Sequence, residues 1–337
     1  MRKTMFMQQL AILSVIACLL AYGCMQPEYL YQYLRPPGWE YAIAEDINDY
    51  GVVVGWGFDG TTYKGFIYRD HKYTELLLPG CIRTYAVAIN NNGEAVGHGV
   101  DGEGVEKGYL YKDGEYTELL PPGWRMAWAK AINNNAAVVG HGCDYQKCSD
   151  FIYQDGEYTE LLPPGWIVAS AEAINDDGMV AGCGSNGPTA VGFIYKDGEY
   201  IELLPSGYLA VQDVVDINNK GVVLGYGGNN EKSSHFIYKD GEYTELPKQG
   251  WESGLASAFN DDGAVVGYLS AGHDGFVYKD GEVTELKPPG YGDSYCRAIN
   301  NEGVVAGYVE TVIDPHFSAI TIRPPHGFIA TPVSVEK

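Results

Sequence analysis

Apolar positions come in short runs broken by Gly, Asn and Asp, with no 3.6-residue spacing, so strands are predicted rather than helices. Gly221–Tyr226 (Gly-Val-Val-Leu-Gly-Tyr) is apolar on successive residues and predicts a strand covered on both faces; Gly51–Trp56 and Gly263–Tyr268 repeat it. Tyr116–Leu119 alternates instead, with Tyr116 and Glu118 on one face and Thr117 and Leu119 on the other, which predicts an edge strand. Tyr158–Leu161 and Tyr243–Leu246 read the same way. Between these two kinds of strand lie Phe-Ile-Tyr segments at Phe66–Tyr68, Phe151–Tyr153 and Phe236–Tyr238, residues suited to a pleated, half-buried surface.

The runs recur in phase. The Ile of an opening Ala-Ile-Asn strand stands at Ile47, Ile89, Ile132, Ile174 and Ile217, becomes Phe259, and returns at Ile299, each followed by Asn. Asp-Gly pairs such as Asp113-Gly114 and Asp240-Gly241 predict type I′ hairpins between the third and fourth strands. Asn-Asp-Asp-Gly at Asn175–Gly178 predicts a type I turn between the first and second. Four strands per repeat of about 42 residues is the period of a β-propeller blade. The fold expected is all-β: seven four-stranded antiparallel blades over 29–337.

The ends of the chain refine this. Tyr29–Leu34 aligns with a fourth strand, because Arg35-Pro36-Pro37-Gly38-Trp39 matches Leu120–Trp124. The N-terminal strand is therefore expected to complete the last blade, which closure would leave without an exposed edge. Two segments compete for that blade's third strand: His316–Ala319 and Gly327–Ala330. Ahead of the ring, residues 1–23 read as a leader, with Arg2 and Lys3 before the apolar Leu10–Ala21, too short to span a bilayer. Leu20–Cys24 fits a lipoprotein-type signal with Cys24 as the acylated residue, and 24–28 as a linker. Secretion without lipid is the alternative. Lipid on Cys24 would be the chain's sole hold on a membrane.

Loss of the leader removes two cations and no acid, moving the net charge from −22 to −24. Such a surface disfavours nucleic acid and anionic head groups. No cofactor motif, nucleophile elbow or phosphate loop stands out, so neither a cofactor nor a catalytic residue is assigned. The seven His show no ligand spacing, and the Asp-x-Asn openings at Asp46 and Asp216 never complete a calcium loop, so no metal is assigned.

The Ala-Ile-Asn-x-x-Gly-x-Val-Val-Gly run, the Phe-containing strand and the Lys-Asp-Gly-Glu turn resemble the HAF-repeat family of bacterial extracellular proteins. His235-Phe236 and His316-Phe317 keep a His beside the Phe, while most copies read Gly-Phe. The resemblance covers about 29–333 and implies a secreted or surface propeller-like protein, with no settled activity and no functional residues to transfer.

Candidate contacts come from positions where the repeat varies. The residue ending the second strand is Trp56, His98, His141, Cys183, Tyr226, Tyr268 or Tyr308. These aromatic and imidazole side chains are the expected ligand contacts at one mouth of the channel; inter-blade packing is the competing explanation. The position after Pro-Pro-Gly (Trp39, Trp124, Trp166 and equivalents) is aromatic in nearly every unit and reads as packing between adjacent blades. Cys143 and Cys148 share one loop and could form a disulfide; Cys143 with Cys183 is the other pairing. Arg83, Arg125, Arg297 and Arg323 are the cations that fall outside the repeat.

The function expected is a monomeric surface module that binds or scaffolds a glycan or protein through one face. The alternatives are an extracellular lyase or glycosidase at the channel mouth, or a structural envelope component. An enzyme would need non-repeat His, Arg and acidic residues gathered at one mouth.

Overall fold

The computed structural model describes residues 29–246, 251, 254–270, 273–312 and 321–333, with the side chains of 311–312 and 321–323 left aside. Seven four-stranded antiparallel sheets form a ring, a seven-bladed β-propeller. Six blades are continuous in the chain. Blade one runs over Tyr41–Leu76, two over Cys81–Leu119, three over Met126–Leu161, four over Val168–Leu203, five over Ala210–Glu245 and six over Gly254–Leu286. Blade seven combines Ser294–Ile299, Val305–Val312 and Thr321–Pro332 with the N-terminal Tyr29–Leu34. Its third strand carries Gly327–Ala330, with Phe328 opposite Gly307 and Tyr33. The competing His316–Ala319 lies outside the described residues, as do the leader and Cys24. Among the described residues no helix is long and apolar enough to cross a membrane.

Each blade hides its second and third strands. Val53, Val54 and Phe66 are fully buried in blade one, as are Val180, Ala181 and Phe193 in blade four. A buried side chain of this size contributes about 1.5–3 kcal/mol. The Gly after the valines is set by close approach: a Cβ on Gly55 would lie 2.0 Å from the Ile43 carbonyl oxygen. The rings after Pro-Pro-Gly lie edge-on against the Phe of their own blade, as in Trp39–Phe66 and Trp166–Phe193. The same rings share core clusters with the preceding blade, Trp39 with Leu34 of blade seven and Trp166 with Leu161 of blade three, so they sit at the seam between neighbours as expected. The indoles of Trp39 and Trp166 donate to Glu75 and Glu202, which explains an acid in the outer strand.

The repeated Asn locks the ring. Asn48 Oδ1 accepts the N–H groups of Tyr50 and Val52, holding its own turn, while Nδ2 donates to the Asn90 carbonyl of the next blade at 2.9 Å. The inter-blade bond recurs from Asn90, Asn133, Asn175, Asn218 and Asn260, and Asn300 closes the circle onto Asn48 at 3.0 Å. A second circle lies beside it: each following residue, from Asp49 round to Asn301, donates its N–H to the side-chain oxygen of its counterpart one blade on.

Candidate functional site

The first strand of every blade lines the channel, and each carries a β-bulge at one place. The residues left unpaired there are Glu45, Val87, Lys130, Glu172, Val215, Ser257 and Arg297, and blades two and five have a second shift at Ile82 and Gln212. A bulge leaves its extra residue out of the ladder and re-aims the side chain. Here all of these residues except Lys130 line one cavity of the channel. Glu45, Glu172 and Arg297 line this cavity of about 490 Å³ at the mouth opposite the Asn circle, together with Asp213, Tyr226, His235 and Tyr268.

The charges are organised in pairs. Arg297 donates from Nε to Glu45 at 2.9 Å, bridging blades seven and one. Lys130 Nζ bonds Glu172 at 3.0 Å and Ser170 Oγ at 2.8 Å, bridging blades three and four. Asp213 adds a further carboxylate whose pKa is raised by burial and then by Glu172. Asp46 and Asp216 replace the Ala of Ala-Ile-Asn, and each accepts a backbone N–H of the next blade, from Ile89 and Phe259. Burial raises their carboxyls to about 6 and about 7, against a partial offset from two backbone N–H donors each.

The second-strand candidates hold equivalent places in the seven blades. Tyr226 and Tyr268 line the cavity. Trp56 reaches it through its indole, which donates to Glu45 at 2.8 Å. Tyr308 stacks on Tyr295 at 4.8 Å, and burial raises its pKa, with the nearby Arg297 charge offsetting part of the rise. His98 stacks on Tyr85 at 4.9 Å, and burial lowers its imidazole to about 4, so it stays neutral in neutral solution. His141 packs on Trp128 at 4.8 Å and meets Asp150. Cys183 is half-buried, its thiol pushed up to about 11 by burial.

Blades one and two add an aromatic platform. Tyr41 stacks on Phe58, Trp56 meets Tyr85 edge-on at 5.2 Å, and Tyr63 lies 5.9 Å from Tyr85 with Arg83 over its ring at 5.6 Å. Arg125 covers Tyr145 in the loop that the Cys143–Cys148 disulfide crosses. The side chain of Arg323 lies outside the described set.

Sequence reasoning passed over the bulge residues except Arg297, and it passed over Asp150 and Asp213. A usable signal existed: two places before each Ile-Asn, the seven units read Glu, Val, Lys, Glu, Val, Ser and Arg. Its meaning depends on the bulge, which strand pairing alone reveals.

No family model and no curated protein matches the chain. Solved structures are similar in fold. The β-propeller domain of the Trilobed protease from Pyrococcus furiosus aligns with TM-score 0.57 at 13% identity, over 87% of this chain and 94% of that one. Virginiamycin B lyase from Staphylococcus aureus aligns with TM-score 0.56 at 13% identity, over 91% and 100%. YCF48, solved bound to D1 peptide, aligns with TM-score 0.52 at 11% identity, over 90% and 97%. At these identities the likeness speaks for the propeller fold alone.

Proposed function

We propose that this propeller is a carbohydrate-binding module of the bacterial cell surface, tethered through lipid on Cys24, with its ligand seated at the mouth that carries the bulge residues. The observation that carries this reading is the aromatic platform of Tyr41, Trp56, Phe58, Tyr63 and Tyr85, which appears on blades one and two and breaks the repeat. Half-buried rings offer flat apolar faces to a sugar, and adjacent carboxylates and Arg297 supply hydrogen bonds to hydroxyls. The excess of acid at the mouth favours neutral or cationic glycans over anionic ones.

A glycan array probed with the domain from residue 25, followed by titration of tryptophan fluorescence, tests this. Trp56→Ala is expected to weaken binding tenfold or more. Capture of a peptide and of no glycan would overturn the proposal. Mass spectrometry of the mature N-terminus checks the lipid separately.

A further inference from the structure

The residue before the third-strand Phe (Tyr109 in blade two) faces the second-strand candidate across the ladder. It is Gly65, Gly108, Gly192, Gly275 or Gly327 in five blades, but Asp150 in blade three and His235 in blade five. Asp150 therefore stands where the repeat has no side chain. It is wholly buried, with one oxygen on His141 Nδ1 and the other accepting the Ala171 N–H of blade four. A buried carboxylate needs a compensating charge. Lys130 supplies it from 3.7 Å, itself held by Ser170, the Ala171 carbonyl and Glu172.

With Nδ1–H committed to Asp150, the His141 tautomer is fixed and the lone pair sits on Nε2. A fifth of the His141 side chain is exposed (20%), and the ring lies beside Trp128. A buried acid orienting a partly exposed imidazole suits that imidazole to act as a general base.

We propose that His141 is a proton-abstracting catalytic residue at this mouth, oriented by Asp150, with Lys130 as a further positioning residue, acting on a neutral or cationic ring-bearing substrate seated on Trp128. Anionic substrates are disfavoured by Glu172 and Asp213. The proposal uses the same mouth as the glycan reading but needs no sugar, so either can fail alone.

5-Nitrobenzisoxazole is the probe. His141 Nε2 takes its ring C–H proton, the C–H electron pair becomes the third bond of a nitrile, and the N–O bond breaks with its pair leaving as phenolate. The proton then passes from the imidazolium to buffer, with no change of oxidation state overall. The phenolate is read by absorbance on the protein with its disulfide intact. The wild type is expected to run at least tenfold faster than His141→Gln, with His71→Asn, in an outer turn, unchanged. Its rate should rise with pH in step with the deprotonation of His141 followed by its ring-proton NMR signals. Asp150→Asn is expected to lower the rate at least tenfold and to alter that titration; should it fail to fold, His141→Gln and the pH profile decide. Equal rates for wild type and His141→Gln, or a pH profile unconnected with the His141 titration, would overturn the proposal.

Discussion

Replacing one Asn of the closing circle gives a direct measure of how the blades are joined. Asn133 is 4% exposed and makes three side-chain bonds: Nδ2 to the Asn175 carbonyl at 2.9 Å, and Oδ1 from the N–H groups of Asn135 and Ala137 at 3.0 and 2.9 Å. Asn133→Ala removes all three and leaves the Ala137 N–H and the Asn175 carbonyl buried without these partners. At about 0.5–1.5 kcal/mol per net bond, more where a buried group is orphaned, the loss is about 3–5 kcal/mol. Asn133→Asp separates the two roles. It keeps both accepted bonds, loses the inter-blade donor, and sets a carboxylate against the Asn175 carbonyl. Its cost at neutral pH should be about 2–4 kcal/mol. Once protonated, the new carboxyl can donate as the amide did, so its folded pKa lies above its unfolded one. The deficit of Asn133→Asp relative to wild type should therefore shrink as the pH falls, while that of Asn133→Ala does not follow this course. Thermal unfolding by circular dichroism reads this, at about 2 °C per kcal/mol for a domain of this size. An Asn133→Asp midpoint within a degree of wild type at neutral pH would refute the inter-blade bond.

Four further outcomes follow from particular residues. Ala136 holds φ +60° at the turn position where Gly178 and Gly221 serve blades four and five, so Ala136→Gly should raise the melting midpoint, by about 0.5–1 kcal/mol in free energy. Asp46 and Asp216 bind protons more tightly folded than unfolded, so their stabilising contribution is full below about pH 4 and is lost as the pH rises through about 6 and 7. The Asp46→Ala/Asp216→Ala variant, which carries the Ala found in the other five blades, should show a flatter stability profile between pH 4 and 8 than wild type; identical slopes in urea titrations would contradict this. Leu34, fully buried in the closing strand, should cost about 2–5 kcal/mol as Leu34→Ala and expose the edge of Thr321–Pro332 to proteolysis. Free-thiol counting under denaturing, non-reducing conditions should find Cys143 and Cys148 paired and Cys81, Cys183 and Cys296 free.

The fold was legible because the 42-residue period and the Asp-Gly turns are local signals, and four strands per period leave few architectures. The closing strand was legible too, since Pro36-Pro37-Gly38 marks the end of a fourth strand wherever it occurs. The site was less so. Glu45 and Arg297 are 252 positions apart and meet because blade seven abuts blade one. Asp150 sits in a Ser-Asp-Phe stretch that shows nothing of the imidazole across the ladder. The Asn after each Ile read as turn chemistry, which it is, but half of its bonding lies in the next blade.

The central claim is that the Asn circle and buried valines build the ring while the bulge residues at the opposite mouth do the work. Calorimetric titration of an array-selected glycan against two variants tests it most directly. One is Glu45→Ser/Arg297→Ser, which removes both partners of the mouth ion pair; the other is Asp49→Asn/Asp176→Asn/Asp261→Asn at the Asn end. The first is expected to lose at least tenfold in affinity with its melting midpoint within a few degrees of wild type, and the second to bind as wild type does. Binding retained by the first and lost by the second would contradict the account.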